Sequence, residues 1–185
     1  MSVQDEVDGL PLKQGAIVGA GTFVVGYIAT FVLATIDSEI ELGEEESTFE
    51  MIGLLFYNAQ FVDMELSGLN GTETFNILSE ESTQIPELVY NLVPIALLVA
   101  GGYVLATRVL ETRQANEGGA KLGASIVAGY LPLAFLGTIL FEETAEGGLF
   151  GGSVTLAPET LPAIVLAGIL LPLAFGAIGG YLAQR

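Results

Sequence analysis

PIALLVAGGY (Pro94–Tyr103) returns later in the chain as PLAFGAIGGY (Pro172–Tyr181), with proline at one end, Gly-Gly-Tyr at the other and five of ten positions identical. Each string sits inside a charge-free stretch, Leu88–Thr107 and Leu161–Gln184. Two more such stretches, Gly15–Ile36 and Leu122–Phe141, complete a set of four, each at least 20 residues long. At about 1.5 Å per residue, each suffices to cross a hydrocarbon core of about 30 Å. The pattern therefore predicts four transmembrane helices. Gly15–Ile36 reads as a span rather than a cleavable leader, because it follows an acidic flank (Asp5, Glu6, Asp8) and outruns a typical apolar leader core.

The other two stretches also match. KQGAIVGAG begins at Lys13 and KLGASIVAG at Lys121, so that Lys13/Lys121, Gly15/Gly123, Ala16/Ala124, Ala20/Ala128 and Gly21/Gly129 align. Two helix pairs matching in order and direction predict a duplicated hairpin, its halves related as parallel repeats. The expected fold is all-α and membrane-integral: four transmembrane helices as two tandem hairpins, with a small extracytoplasmic helix and β-hairpin inserted in the first outer loop. The expected division is a tail 1–13, spans 14–36, 88–108, 121–141 and 161–184, an acidic outer loop 37–87, a cytoplasmic loop 109–120 and a second outer loop 142–160.

Charge sets the orientation. The five basic residues are Lys13, Arg108, Arg113, Lys121 and Arg185, and four crossings place all of them on one side. The positive-inside rule makes that side, and both termini, cytoplasmic. Of the 22 acids, 17 fall on the opposite side, in Asp37–Glu87 and Glu142–Glu159. The net charge of −17 thus belongs to the outer face. Solvation in high salt accounts for it, and gathering of cations is the sharper alternative. This acid-rich, lysine-poor chain with four spans resembles small haloarchaeal membrane proteins of unassigned function. The resemblance implies a membrane protein from a salt-loving archaeon and no functional residue.

Small residues predict where helices pack, since lipid gives helices no hydrophobic drive to associate and close backbone approach must replace it. The candidates are Gly15, Gly19, Ala96, Ala100, Gly101, Gly102, Ala124, Ala128, Gly176, Gly179 and Gly180. Pro94, Pro132, Pro162 and Pro172 are expected to kink their helices.

In the first outer loop, Phe49, Ile52, Leu55, Phe56 and Ala59 recur at helical spacing across residues 48–60, predicting a short surface helix. Phe49, Ile52, Leu55 and Phe56 are its candidate partner surface. Residues 61–78 alternate about Asn70-Gly71, predicting a hairpin that pairs Leu66 with Phe75 and Met64 with Ile77. Asn70-Gly71-Thr72 is also an N-glycosylation sequon.

Little chemistry is visible. The chain has no His and no Cys, which removes the commonest general base and the usual zinc and haem ligands. The four stretches hold no Asp, Glu, Lys, Arg or His, which weighs against ion-driven carriers. Asn91 is expected to bond between helices. The run Asp37–Ser47 fails the EF-hand pattern, with Leu42 where glycine is required and Thr48 where glutamate is. Gly147–Gly152 lacks the Lys-Ser/Thr of a phosphate loop and reads as a flexible loop whose Leu149-Phe150 dips into the interface. Five basic residues exclude nucleic-acid binding. The expected role is non-enzymatic and cofactor-free. The chain reads as a scaffold or accessory subunit that meets the bilayer and either a second copy or another membrane protein. A passive channel or carrier between the halves is the alternative.

Overall fold

The computed structural model describes residues 11–40, 45–68, 71–80, 83–112, 118–147 and 152–185. Four helices among them are long and apolar enough to cross a membrane: Leu12–Ile36, Glu87–Leu110, Gly119–Leu140 and Thr160–Leu182. Asn70 and Leu149-Phe150 lie outside the described residues.

In chain order the elements are α1 (Leu12–Ile36), α2 (Glu45–Asn58), β1 (Met64–Gly68), β2 (Gly71–Phe75), α3 (Ile77–Glu80) and α4 (Glu87–Thr112). They continue with α5 (Gly119–Ala124), α6 (Val127–Leu140), β3 (Glu143–Gly147), β4 (Gly152–Pro158), α7 (Thr160–Pro162), a π-helical segment (Ala163–Leu170) and α8 (Leu171–Leu182). The chain forms two compact units, Met1–Val25 with Ile95–Leu133 and Gly168–Arg185, and Gly26–Pro94 with Ala134–Ala167.

Glycine builds the first unit. A Cβ on Gly102 would lie 2.2 Å from the carbonyl oxygen of Gly176, and one on Gly179 1.9 Å from that of Val99, so α4 and α8 touch backbone to backbone. Gly123 meets Gly176 and Gly180 in the same way, which holds α5 against α8. Gly15 and Gly19 face the carbonyls of Ser125 and Ile126, while Gly129 faces Ala16 and Ala20. The third span is broken where these contacts fall. Ser125 N–H, Ile126 N–H, Ala128 N–H and Gly129 N–H each donate three residues back, to Leu122, Gly123, Ser125 and Ile126, instead of the usual four. This tight turn separates α5 from α6, where one continuous helix was expected over 121–141.

The expected two-fold relation between hairpins does not extend to these contacts. Gly129 packs on α1, but its counterpart Gly21 has nothing within 4 Å among the described residues. Gly179 packs on Val99 and Tyr103, whereas its counterpart Gly101 packs on Thr22. Gly180 meets Gly119, whereas Gly102 meets Gly176. Matching strings occupy unlike surroundings.

The second unit has an apolar core of Ala34, Ile40, Ile52, Leu54, Leu55, Ala59, Met64, Ile77, Leu78 and Tyr90. Helix α2 runs through it rather than over a surface: Ile52, Leu54, Leu55, Phe56 and Tyr57 are all fully buried. A helix apolar on every side belongs in a core. The helical period picked out one apolar face, but Leu54 and Tyr57 make the opposite face apolar as well.

A four-stranded antiparallel sheet, in the order β2-β1-β4-β3, completes this unit. The segments after the first and the third span each supply a pair of antiparallel strands; the second pair flanks Gly147–Gly152, the stretch expected to be a flexible loop, of which 148–151 lie outside the described residues. The first hairpin is shifted from the expected register. Gly68 pairs with Gly71 and Met64 with Phe75, and Gly71, at φ +125°, opens β2. The shift is by two residues, which leaves every side chain on its original face. The central pairing is β1 with β4, Leu66 opposite Leu156.

Pro94 and Pro132 lie inside α4 and α6. Pro162 ends α7 and Pro172 stands in the first turn of α8, so the π-helical segment fills the interval between these two prolines.

Candidate functional site

Asp37 follows α1 directly and is buried. Its Oδ1 accepts from Gln84 N–H at 3.0 Å and Glu39 N–H at 3.2 Å, and its Oδ2 from Ile85 N–H at 3.0 Å and the Tyr90 hydroxyl at 3.2 Å. Burial pushes this carboxyl up, but the N–H groups of Ile85, Gln84 and Glu39 and the Tyr90 hydroxyl together hold it below the usual aspartate value. Four donors saturate both oxygens, so the group is a clamp between the end of α1 and the start of α4. It has no lone pair left to act as a base. In the sequence it is one acid among a run of them, and no signal there distinguishes it.

A second polar knot ties the end of α2 to the start of α3. Asn58 is buried, donates through Nδ2 to the Val62 carbonyl at 2.9 Å and accepts through Oδ1 from Ile77 N–H at 3.0 Å. Between them, Val62 N–H returns to Tyr57 O and Phe61 N–H to Asn58 O. These two bonds make a Schellman helix end. Its left-handed position, which normally takes glycine, holds Phe61 at φ 62°.

Aromatic rings gather beside α2. Tyr27 stacks on Phe141 at 5.5 Å and 9°, Phe49 tilts against both, and Tyr57 meets Phe141 edge-on. The Tyr27 hydroxyl donates to the Phe49 carbonyl at 3.1 Å, and the Tyr57 hydroxyl to that of Ala134. Burial pushes the Tyr57 phenol far above its ordinary value. Gly53 admits the Phe141 ring, whose atoms come within 2.0 Å of where a Cβ would stand. Tyr27, Ile28, Phe31, Thr48 and Phe49 line an open groove of about 350 Å³ at the edge of this cluster.

The residues singled out from sequence are placed as follows. Gly15, Gly19, Gly101, Gly102, Gly176, Gly179 and Gly180 pack inside the chain. Ala124 and Ala128 are half-buried, but Ala96 and Ala100 are exposed on α4, contrary to a packing role within the chain. Ile52, Leu55 and Phe56 are core residues and offer no partner surface; of the four proposed there only Phe49 is exposed. Asn91 bonds within its own helix, Nδ2 to Glu87 Oε1 at 3.3 Å, rather than between helices, and its buried Oδ1 has no partner among the described residues. Hydroxyls of Thr22, Thr30, Thr35, Thr107, Ser125 and Thr138 each donate to a carbonyl three or four residues back in the same span. Among the described residues no three acids gather to hold a metal ion.

No curated protein and no solved structure matches this chain. A family model does match, over residues 2–185, so the chain belongs to DUF7978, a family of unknown function.

Proposed function

We propose that the chain is a non-enzymatic membrane scaffold or accessory subunit, assembling with a second copy or another membrane protein along the Ala96–Ala100 face of α4. The observation that carries this reading is a division of labour among small residues. The glycines of α4, Gly101 and Gly102, are spent on contacts within the chain, while Ala96 and Ala100, four apart on the same helix, are exposed. Exposed small residues at this spacing let a second helix approach closely in lipid. Val104 and Leu92 flank them and are exposed too.

In this reading both termini are cytoplasmic, following the five basic residues, and the sheet lies outside with most of the acids. A salt-rich habitat accounts for that acidity. The matched strings are the trace of a doubled hairpin whose copies came to pack differently. A solute path between the halves is the weaker reading, because the span hydroxyls named above are turned onto their own helices rather than offered to a passenger.

Cysteine cross-linking tests the proposal, in a chain that has no cysteine of its own. In native membranes Ala100→Cys should give a cross-linked pair, with itself or with a partner. Leu136→Cys, exposed on α6, should not. Equal cross-linking at both positions, or none at Ala100, overturns the reading.

A further inference from the structure

We propose that Phe61 is an interfacial anchor, its ring seated in the lipid surface at the sheet-side mouth of the fourth span. This requires Thr160–Leu182 to cross the bilayer, as its length and apolarity allow. Backbone bonds fix the height of the residue. Glu159 N–H donates to the Asp63 carbonyl at 2.9 Å, and Ala163 N–H donates to the Glu159 carbonyl at 2.9 Å. Glu159 therefore stands at the first turn of the span, with Asp63 beside it. Phe61 is two residues back, at most about 7 Å of extended chain. The sheet leads the other way: β1 begins with Met64 opposite Pro158 and moves off to Ser67 opposite Thr155. Phe61 thus lies at the span end of the sheet, where a carboxylate gives way to a helix without charge. That change marks the edge of a hydrocarbon core. Leu161, in the first turn of the same span, is 72% exposed.

The ring is held outward. Residues 52–62 are all buried except Phe61. Its backbone is left-handed, at φ 62°, a genuine outlier for a bulky side chain. Glycine takes such a place without strain, so phenylalanine costs energy here twice, through its backbone and through its exposure to water. Lipid removes the second cost, because an apolar ring that leaves water is stabilised. Backbone strain of this kind persists where a function uses it. The surroundings favour lipid over a protein surface. Asp63, two residues on, and Thr160 are both exposed, so the ring stands alone beside polar groups. A protein hot spot instead sits inside a set of contacts that excludes water. An aromatic ring next to polar groups is the composition of a membrane–water boundary.

The chain has no tryptophan, so single-tryptophan variants of the full chain in phosphatidylcholine vesicles each report on one position. Phe61→Trp should emit at shorter wavelength than tryptophan in water. It should lose most of its intensity when the lipid is brominated high on its acyl chains, and little to iodide in the buffer. Val154→Trp, exposed on β4 away from the span, should do the reverse. Leu161→Trp should follow Phe61→Trp. Quenching of Leu161→Trp by bromine with Phe61→Trp quenched only by iodide refutes the anchor and leaves the span standing. Shielding of Phe61→Trp from both quenchers means that protein covers the ring, and also overturns the proposal. If Leu161→Trp ignores bromine as well, the span itself is refuted and the anchor falls with it.

Discussion

Gly102 and Gly176 meet with no side chain between them: a Cβ on Gly102 would stand 2.2 Å from the Gly176 carbonyl oxygen and 2.7 Å from its Cα. Backbone cannot retreat as a side chain does, so even one methyl must push α4 off α8. Gly102→Ala should cost at least the 1–3 kcal/mol, roughly, of an overpacked core. It should lower the melting temperature in detergent. Gly21→Ala is the control, since nothing among the described residues lies within 4 Å of that position. Alanine should be neutral there or stabilise by up to about 1 kcal/mol. Equal melting of the two variants would mean that α4 and α8 are not in contact.

Asp37 makes stability depend on acid. Its folded value lies below the usual one, so its contribution is complete above the unfolded value, about 3.9. It is lost as pH falls through the folded value. Wild type should hold its stability down to about pH 4 on this account and weaken below that. Asp37→Asn turns an amide toward two donors, leaving each short of an acceptor at about 1–3 kcal/mol apiece. The variant should be less stable at neutral pH and lose less on acidification. Parallel pH–melting curves for the two proteins would show that the clamp is idle.

Phe61 occupies a left-handed position at φ 62° and is 48% exposed. An L-residue there costs roughly 1–2 kcal/mol. Phe61→Gly should therefore raise stability by about 1 kcal/mol, less the entropy glycine adds to the unfolded chain. A lower melting temperature would show that the ring contributes more by contact than the backbone loses by strain.

Tyr57 donates its hydroxyl to the Ala134 carbonyl from a fully buried site. Tyr57→Phe should cost about 0.5–1.5 kcal/mol. Because burial raises the folded value, the contribution is complete below the unfolded value of about 10 and fades as pH climbs through the folded one. In an alkaline absorbance titration this phenol should not ionise before the protein unfolds. Early ionisation would place Tyr57 in contact with water.

The four apolar helices were legible because the absence of charge over a span's length is a property of the chain alone. Partners were not. Gly102 and Gly180 stand in matching strings, yet one meets Gly176 and the other Gly119. Nothing local decides between those neighbours. Helix α2 misled because the period that placed Ile52, Leu55 and Phe56 on one face says nothing of Leu54 and Tyr57 on the other. The β3–β4 hairpin had a signal: Val154 and Leu156 alternate with Ser153 and Thr155. It was masked by the glycines beside it. The clamp at Asp37 was invisible, since its distinction lies in donors that come from residues 84, 85 and 90.

The pairing of β1 with β4 has a consequence for how the protein is made. Strand β1 and helix α2 leave the ribosome before three of the four apolar helices, yet β1 finds its central neighbour only when β4 follows, and Tyr57 waits for Ala134. During synthesis the early segment holds apolar side chains and an open strand edge for which no partner yet exists. Such species are prone to aggregate. A nascent chain stalled before Gly152 should therefore engage holding chaperones or be degraded, and release of the segment from Gly152 onward is the event that completes the sheet.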